Sequence, residues 1–306
     1  MPSLPAVMLH SLIKTRMEKV SKALDAAETI EEKIAVYRKE TSLDIASLIF
    51  GDFKAEETEL GGRPATWINH DSFPSDRAVI FLHGGGYIGG SVFYSRNQAS
   101  DVAKATGHRV VSLEYRLAPE NPYPAALEDL LAAYRELLAT GLAPGAISLV
   151  GLSAGGGLAI AGVLAMKLAG LPLPGSVVGL SPWCDLTLSQ ITVRANRDKD
   201  IMISPELLET AAGLYTAGHE RTDPLISPVF GDLTGFPPLM IQVAAEEILL
   251  GEAIEIANRA VKSGVKVNLE IFDGMWHVWQ SLNELLPEAR AALDKVGTFI
   301  RENTIS

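Results

Sequence analysis

Short apolar runs alternate with amphipathic stretches over the last three quarters of the chain. Runs rich in β-branched residues at Ala78–Leu82, 146–150 and 239–243 predict buried strands. Alternating apolar positions at 265–272 predict a further strand, and the Ala- and Leu-rich segment Ala154–Leu168 predicts a helix. Strands and helices that alternate in this way are typical of a mostly parallel sheet covered by helices on both faces.

Two parts of the chain depart from this alternation. Residues 1–50 mix apolar and charged positions, which predicts amphipathic helices around 14–22 and 31–40. Two short strand-like segments follow at 55–60 and 65–70. A polar and partly helical stretch at 185–222 interrupts the alternation later in the chain.

Composition narrows the class of protein. The 306 residues are 47% hydrophobic, which favours one folded domain over 1–306. The net charge of −11 disfavours nucleic acid and anionic membranes as partners. The single cysteine, Cys184, excludes an internal disulfide and is compatible with a reducing compartment. No apolar run is long enough to span a bilayer and no leader pattern is evident, so we expect a cytoplasmic protein.

A glycine-flanked serine lies between a predicted strand and a predicted helix, in the sequence Gly151-Leu152-Ser153-Ala154-Gly155. The glycines remove side chains that would collide across so tight a turn. The turn would expose the Ser153 hydroxyl and aim the Ala154 N–H at the same space. This context is typical of a nucleophile elbow.

A second glycine motif, His83-Gly84-Gly85-Gly86, begins where the strand Ala78–Leu82 ends. Consecutive glycines let backbone N–H groups approach a ligand oxygen closely. Such a loop accompanies the elbow in acyl-transfer enzymes, where it stabilises the oxyanion. Together the two motifs predict acyl transfer from an ester, whereas a glycine turn without a ligand would leave both unexplained.

A serine nucleophile needs a base, and the base needs an acid that orients it. In this arrangement the chain order is serine, acid, histidine. Among the six histidines, His277 lies beyond the elbow, in a predicted loop after the last strand. Glu246 and Glu247 follow the strand predicted at 239–243, and Asp273 is a third candidate beside the histidine. The spacing alone does not choose between the two glutamates.

Six segments carry motifs whose order and spacing can be compared with known families. They are 81–87 (FLHGGGY), 114–120 (EYRLAPE), 151–157 (GLSAGGG), 181–183 (SPW), 227–228 (SP) and 274–277 (GMWH). The chain resembles the hormone-sensitive-lipase family of bacterial esterases, within the α/β-hydrolases. The resemblance implies an eight-stranded, mostly parallel sheet flanked by helices, with a helical cap formed by about 1–50 and 185–222.

The resemblance also assigns roles within the site. Its acid-bearing Asp-Pro-Leu segment aligns with 247–249, so Glu247 is preferred over Glu246 as the partner of His277 and Ser153. It implies oxyanion N–H groups on Gly85, Gly86 and Ala154. The motif-supporting residues would be His83, Gly84, Gly151 and Gly155, with His83 structural and not a second base.

The implied function is a serine carboxylesterase for short- to medium-chain acyl esters, working through an acyl-enzyme without metal or organic cofactor. A glutamate acid and the sequence around His277 resemble a branch that includes monoterpene ε-lactone hydrolases, so a lactone hydrolase is the main competing function. The same motifs also leave open an amidase or deacylase and, from a different class, a non-catalytic small-molecule receptor.

Pocket and assembly are further expectations. We expect the substrate pocket, for a small-molecule ester or lactone, to be lined by Tyr87, Leu152, Trp183, Tyr215 and Trp276. The family often pairs through its last strand and helix, so we expect a homodimer.

Overall fold

A mixed sheet of eight strands forms the centre of the protein in the computed structural model, which describes residues 2–41, 53–68 and 73–304. The strands are β1 (Ala55–Leu60), β2 (Arg63–Ile68), β3 (Ala78–Leu82), β4 (Arg109–Leu113), β5 (Ile147–Leu152), β6 (Ser176–Leu180), β7 (Leu239–Ala244) and β8 (Val267–Phe272). Their spatial order is β1-β2-β4-β3-β5-β6-β7-β8. β2 runs antiparallel to β1 and β4, and all other neighbours are parallel. The predicted architecture of the sheet is therefore confirmed.

The helices of the described ranges are α1 (Leu4–Ala26), α2 (Ile30–Thr41), α3 (Val92–Thr106), α4 (Ala125–Ala139), α5 (Ala154–Leu168), α6 (Ile191–Ala195), α7 (Pro205–Thr216), α8 (Leu250–Lys262) and α9 (Pro287–Asn303). Helices α3 and α9 pack on one face of the sheet, and α4, α5 and α8 pack on the other. Short 3₁₀ turns lie at Pro144–Ala146, Pro228–Phe230 and Trp279–Leu282. Among the helices of the described ranges, none is both long and apolar enough to cross a membrane.

The central strands are mostly apolar because both of their faces are covered. Every residue of β3, β5, β6 and β7 is buried. Alternate residues enter separate cores, with Ile80 in the core beneath α4 and α5 and Phe81 in the core beneath α3 and α9. Burial on both sides explains why these strands appear in the sequence as runs of mainly apolar residues.

The observed boundaries differ from the predicted ones where local turns intervene. Helix α5 has the predicted limits, and β5 continues to Leu152. β8 starts at Val267 and not at Val265. Gly264 adopts a left-handed φ of 77°, and the N–H of Val265 donates to Ala260 O, so these residues still close α8. Residues 69–70 of the predicted second strand, and 42–50 of the predicted cap, lie outside the described residues.

The amino-terminal helices are fastened to the sheet domain by polar contacts. The Arg38 guanidinium on α2 donates to Ile88 O (2.8 Å) and Ala118 O (3.0 Å), and it forms a bidentate pair with Glu120. At the start of α1, Ser3 donates to the carboxylate of Glu288 at the beginning of α9. Helices α1 and α2 are thereby held beside the edge of the sheet where the parallel strands end.

Candidate active site

Ser153 lies in the sharp turn that joins β5 to α5. Its backbone has φ 52° and ψ −120°, a conformation that a non-glycine residue adopts only where the surroundings hold it. The Ser153 N–H donates to Leu180 O (2.9 Å), and Ser153 O accepts from the Trp183 N–H (3.0 Å). A Cβ on Gly151 would collide with the Gly155 carbonyl, and one on Gly155 would collide with the carbonyls that end β3. The two glycines are therefore required by close backbone approach.

The structure brings Ser153, His277 and Glu247 into one hydrogen-bonded series. His277 Nε2 lies 2.9 Å from Ser153 Oγ, and His277 Nδ1 lies 2.7 Å from Glu247 Oε2. Glu247 is fully buried and His277 is only 4% exposed. With the Nδ1 proton donated to the carboxylate, Nε2 is left to accept the proton of the serine hydroxyl.

Glu246 and Asp273, the other two candidates for the acid, do not contact His277 in this way. Glu246 accepts from the Gly274 N–H at 3.2 Å, and Asp273 is exposed. The second oxygen of Glu247, Oε1, accepts from the Ala244 N–H (2.7 Å), so the buried carboxylate is held on both oxygens. The geometry therefore places Glu247, which the family alignment favoured, and not Glu246, against the histidine.

Ser181 is a member of the site to which the sequence assigned no role. Its hydroxyl donates to Glu247 Oε1 at 2.7 Å and accepts from the Val278 N–H at 3.2 Å. It connects the acid to the loop that carries the histidine. The SPW segment at 181–183 marked this position, but its function depends on β6 ending beside β7.

Asn196 and Asp200, from the polar stretch at 185–222, clamp the loop of the acid. Asn196 Nδ2 donates to Ala245 O (3.1 Å) and Glu247 O (2.9 Å), and Asp200 Oδ2 accepts from the Ile248 N–H (3.0 Å). No sequence motif pointed to either residue. We call Asn196 and Asp200 the acid-loop clamp.

Two carboxylates set the proton affinity of His277. Burial lowers its pKa, but the charge and hydrogen bond of Glu247, together with the charge of Asp200, outweigh burial and raise the pKa above 6.5. Burial raises the pKa of Asp200 to about 6, against the lowering effect of the His277 charge. These two carboxylates therefore stabilise the imidazolium form of His277.

The loop after β3 lies directly against the serine. A Cβ on Gly84 would be 3.3 Å from Ser153 Cβ. Gly85 has φ 119° and Gly86 has φ 60°, and a Cβ on Gly85 would collide with the Gly89 carbonyl. Within the described ranges, the N–H groups of Gly85 and Gly86 donate to no other residue.

A third donor comes from the start of α5. Ala154 is the first helical residue, and the first N–H groups of a helix have no partner within the helix. No side chain caps this helix start. The site thus combines a serine hydroxyl with N–H groups from two elements, an arrangement suited to an oxyanion.

His83 supports the glycine loop from within the core. Its Nδ1–H donates to Gly84 O (2.8 Å), and its ring stacks on Tyr115 with centroids 4.2 Å apart and planes at 13°. The Tyr115 hydroxyl donates to His83 O (2.7 Å). Burial lowers the pKa of His83, which keeps the ring neutral.

A cavity of about 400 Å³ opens beside Ser153. Leu152 lines it, as predicted. Tyr87, Trp183 and Tyr215 do not, because they pack in the core, where the Tyr87 and Tyr215 rings stack 3.8 Å apart. Trp276 is 4% exposed and packs against α1. The predicted pocket is therefore wrong for these four aromatic residues in this cavity.

The walls of the cavity include side chains that the sequence analysis did not name, although α1 and α7 lie in the segments expected to form the cap. These include apolar side chains of α1 and α7, Met17, Val20, Leu24, Leu207 and Leu208, and side chains of α3, Tyr94, Ser95 and Gln98. Over the described part of the chain, no group of three or more His, Cys, Asp or Glu residues is placed to hold a metal ion.

Comparison with known proteins gives the class to which this fold and site belong. The family described as alpha/beta hydrolase fold matches residues 79–281. An acetyl-hydrolase of Streptomyces hygroscopicus is 41% identical over 245 residues, 80% of this chain and 82% of that protein. An esterase of Acinetobacter venetianus is 36% identical over 222 residues, 72% of this chain and 73% of that protein.

A solved structure agrees over the whole length. The crystal structure of an esterase from the bacterial hormone-sensitive lipase family superposes with a TM-score of 0.89 at 37% identity and covers 100% of both chains. The chain belongs to the alpha/beta hydrolase family. Within that family it is a carboxylic ester hydrolase of the bacterial hormone-sensitive-lipase group, as the motifs predicted.

Proposed function

We propose that the protein is a serine carboxylesterase that cleaves short- to medium-chain acyl esters through an acyl-enzyme. The observation that carries the proposal is the series of hydrogen bonds from Ser153 through His277 to Glu247. The serine end of this series borders a cavity, and the glutamate end is buried. Serine nucleophiles are activated by this order of groups.

The first half of the reaction forms the acyl-enzyme. Ser153 Oγ attacks the ester carbonyl carbon while His277 Nε2 takes the hydroxyl proton. The charge of Glu247 stabilises the resulting imidazolium. N–H groups of Gly85, Gly86 and Ala154 donate to the oxyanion, where each such donor typically contributes about 10²–10³ in rate.

The second half releases both products. His277 gives its proton to the leaving alcohol oxygen, and the carbonyl re-forms on Ser153. Water then attacks the acyl-enzyme with His277 as base, and collapse of the second intermediate frees the acid. Ser153, His277 and Glu247 end in their starting protonation states, so the cycle needs no other reactant.

The cavity supports the preference for small substrates. Its volume of about 400 Å³ lies toward the lower end of the range typical of small-molecule sites. Much of its lining is apolar, from α1 and α7. We therefore assign it to acyl chains of a few carbons and not to long chains.

Helices α1 and α2 and the stretch 185–222 act as the cap in this proposal. Met17 of α1, Tyr37 of α2 and Leu207 of α7 line the same cavity as Ser153. Enclosure by these elements would limit water access and shape the acyl and alcohol sites.

Hydrolysis of p-nitrophenyl butyrate by wild type and Ser153→Ala tests the proposal. We expect turnover by the wild type and a loss of at least about 10³ in kcat in the variant. Ser189→Ala is a control for the same chemical change, since Ser189 is an exposed serine whose hydroxyl donates to Asp185 at 2.8 Å outside the cavity lining. Equal turnover by Ser153→Ala and wild type would overturn the assignment of the nucleophile.

A further inference from the structure

Polar side chains line the cavity at more than one place, and Lys14, Arg16, Glu18 and Ser21 of α1 are among them. Helix α3 and the turn that follows His277 supply a separate group without charge, Tyr94, Ser95, Gln98 and Ser281, which we call the polar lining. Tyr94, Ser95 and Gln98 are neighbours on one helix, and the turn Trp279–Leu282 contacts the same helix. The polar lining differs both from the charged side chains of α1 and from the apolar side chains of α1 and α7, which indicates that it receives a chemically different group.

Gln98 has unused capacity for hydrogen bonds. Its side chain is buried, with 7% of the residue exposed, and lines the cavity. Its Oε1 atom has no hydrogen-bond partner among the described residues. A buried amide without a partner is unfavourable, and packing alone would be served better by leucine or methionine. Because Oε1 itself is buried while the residue lines the cavity, a turn of the amide about its last side-chain bond would present its polar atoms to a molecule that enters the cavity.

The neighbouring hydroxyls define what kind of group this is. Ser95 Oγ donates to Ser91 O (2.9 Å), and Ser281 Oγ donates to Val278 O (2.8 Å). Each hydroxyl has thus used its proton, and its oxygen can only accept. The Gln98 amide adds an acceptor and two donors. A substrate hydroxyl, which both donates and accepts, matches this set.

The chemistry of ester cleavage indicates which portion of the ester, acyl or alcohol, lies against the polar lining. His277 Nε2 must reach the leaving oxygen to protonate it, so the alcohol portion begins beside His277. Val278 and Ser281 follow His277 closely and line the cavity. The polar lining therefore borders the alcohol portion of the substrate.

We propose that Gln98, with Ser95 and Ser281, binds a hydroxyl group on the alcohol portion of the ester. The substrate class is then short-chain acyl esters of polyols or hydroxyalkyl alcohols. This inference rests on the proposed esterase function and adds to it the recognition of a second polar group.

Two esters that differ by one group test the inference. 2-Hydroxyethyl butyrate carries a hydroxyl where propyl butyrate has a methyl group, and their hydrolysis is followed by pH-stat titration. We expect the ratio of kcat/KM for the two esters to fall about five-fold from wild type to Gln98→Met, the size of one neutral hydrogen bond. Comparing ratios removes the different intrinsic reactivity of the two esters.

Gln190→Met is the matched control. It makes the same chemical change at a glutamine whose Nε2 donates to Asp185 Oδ2 (3.4 Å), outside the cavity lining, and the ratio should stay at the wild-type value. Should Gln98→Met fold poorly, Ser281→Ala should lower the ratio in the same direction.

The possible outcomes distinguish failure of the proposed hydroxyl site from failure of the proposed esterase function. A ratio that is the same in wild type, Gln98→Met and Ser281→Ala, with both esters hydrolysed, would overturn the hydroxyl site and leave the esterase function standing. Failure of the wild type to hydrolyse either ester or p-nitrophenyl butyrate would overturn the function itself, and the inference with it.

Discussion

Ser153 has a backbone φ of 52°, a strained value for a residue with a side chain, and the surrounding backbone holds it there. Conformations of this kind cost on the order of 1–3 kcal/mol and persist where the surrounding structure fixes them. The hydrogen bonds of Ser153 to Leu180 and Trp183 provide that support. The strain places a hydroxyl at the end of the sheet, within 2.9 Å of an imidazole nitrogen.

The proton affinity of His277 should be visible in the pH dependence of kcat/KM. The base acts only when neutral, and Glu247 and Asp200 raise its pKa above 6.5. A raised pKa keeps the imidazole protonated to a higher pH. We therefore expect the acidic limb to have its midpoint above pH 6.5 in a profile measured with p-nitrophenyl butyrate. A midpoint at or below 6.5 would contradict the charge environment described for the site.

Glu247→Gln should impair catalysis far more than Glu246→Gln. The amide keeps the size of Glu247 but removes the charge that orients and stabilises the imidazolium. Loss of such an acid costs about 10²–10⁴ in kcat. Glu246 accepts from the Gly274 N–H instead of a histidine nitrogen, so its substitution should change kcat less than about three-fold. Steady-state kinetics of the two variants decide the point, and equal losses would remove Glu247 from its role.

At the scale of single residues, the sequence analysis predicted those site residues that lie within short motifs. The motifs around Ser153 and His277 each lie within a few residues, so their geometry is local. The choice of Glu247 over Glu246 followed from alignment with the family and not from spacing. Ser181 and Asp200 were missed because their contacts join segments that are 48 to 97 residues apart.

The glycine loop after β3 is the element whose backbone matters most for the proposed chemistry. Gly85→Ala should lower kcat/KM for p-nitrophenyl butyrate at least about 10²-fold, the size of one lost oxyanion donor. The reason is that φ is 119° at Gly85 and a Cβ there would strike the Gly89 carbonyl, so the loop must move.

Gly170→Ala is the control for this change. Gly170 also has a positive φ, 66°, but a Cβ there meets nothing within 4 Å. It should cost about 1–2 kcal/mol in the free energy of unfolding and leave kcat/KM unchanged. Urea denaturation and kinetics measure both quantities. Unchanged activity in Gly85→Ala would show that the loop does not supply the donors.

The acid-loop clamp ties the polar stretch 185–222 to the loop that carries Glu247. In Asp200→Asn the side-chain oxygen can still accept the Ile248 N–H, but the negative charge near His277 is gone. We expect the acidic limb of the kcat/KM profile to move to lower pH than in wild type, because one of the two charges that raise the His277 pKa is removed. A limb that stays in place would show that Asp200 does not act on the histidine through its charge.

Elements with a strong local pattern were predicted closely. Helix α5 and strand β3 have the predicted limits because every turn of α5 and every residue of β3 is apolar. The stretch 185–222 was predicted only as polar and partly helical. Its short helices α6 and α7 are positioned by contacts with the acid loop and the core, which local patterns do not encode.

The whole molecule encloses one site with elements from both ends of the chain. Met17 of α1, Gln98 of α3, Leu207 of α7 and Ser281 after His277 line a single cavity. The sequence predicted aromatic residues for this lining, but Tyr87 and Tyr215 instead stack in the core. Which residues border a cavity depends on how helices pack together, and composition does not reveal it. The expected homodimer stays a prediction, for which light scattering is the measurement.

The size of the cavity sets an expected limit on acyl chain length. A space of about 400 Å³ holds a short ester but not a long acyl chain together with its alcohol. For p-nitrophenyl esters in detergent-dispersed form, kcat/KM should fall at least about ten-fold from butyrate to palmitate, since each methylene left outside contributes no burial. Equal or higher values for palmitate would require a larger acyl site than the one described.

Covalent labelling by a fluorophosphonate probes the nucleophile without depending on the natural substrate. Wild type and Ser153→Ala are treated with the reagent, and the modified peptide is identified by mass spectrometry. We expect one adduct, on Ser153, that is absent from the variant and forms more slowly as the pH falls and His277 becomes protonated. An adduct on a different residue, or equal labelling of Ser153→Ala, would contradict the proposed mechanism.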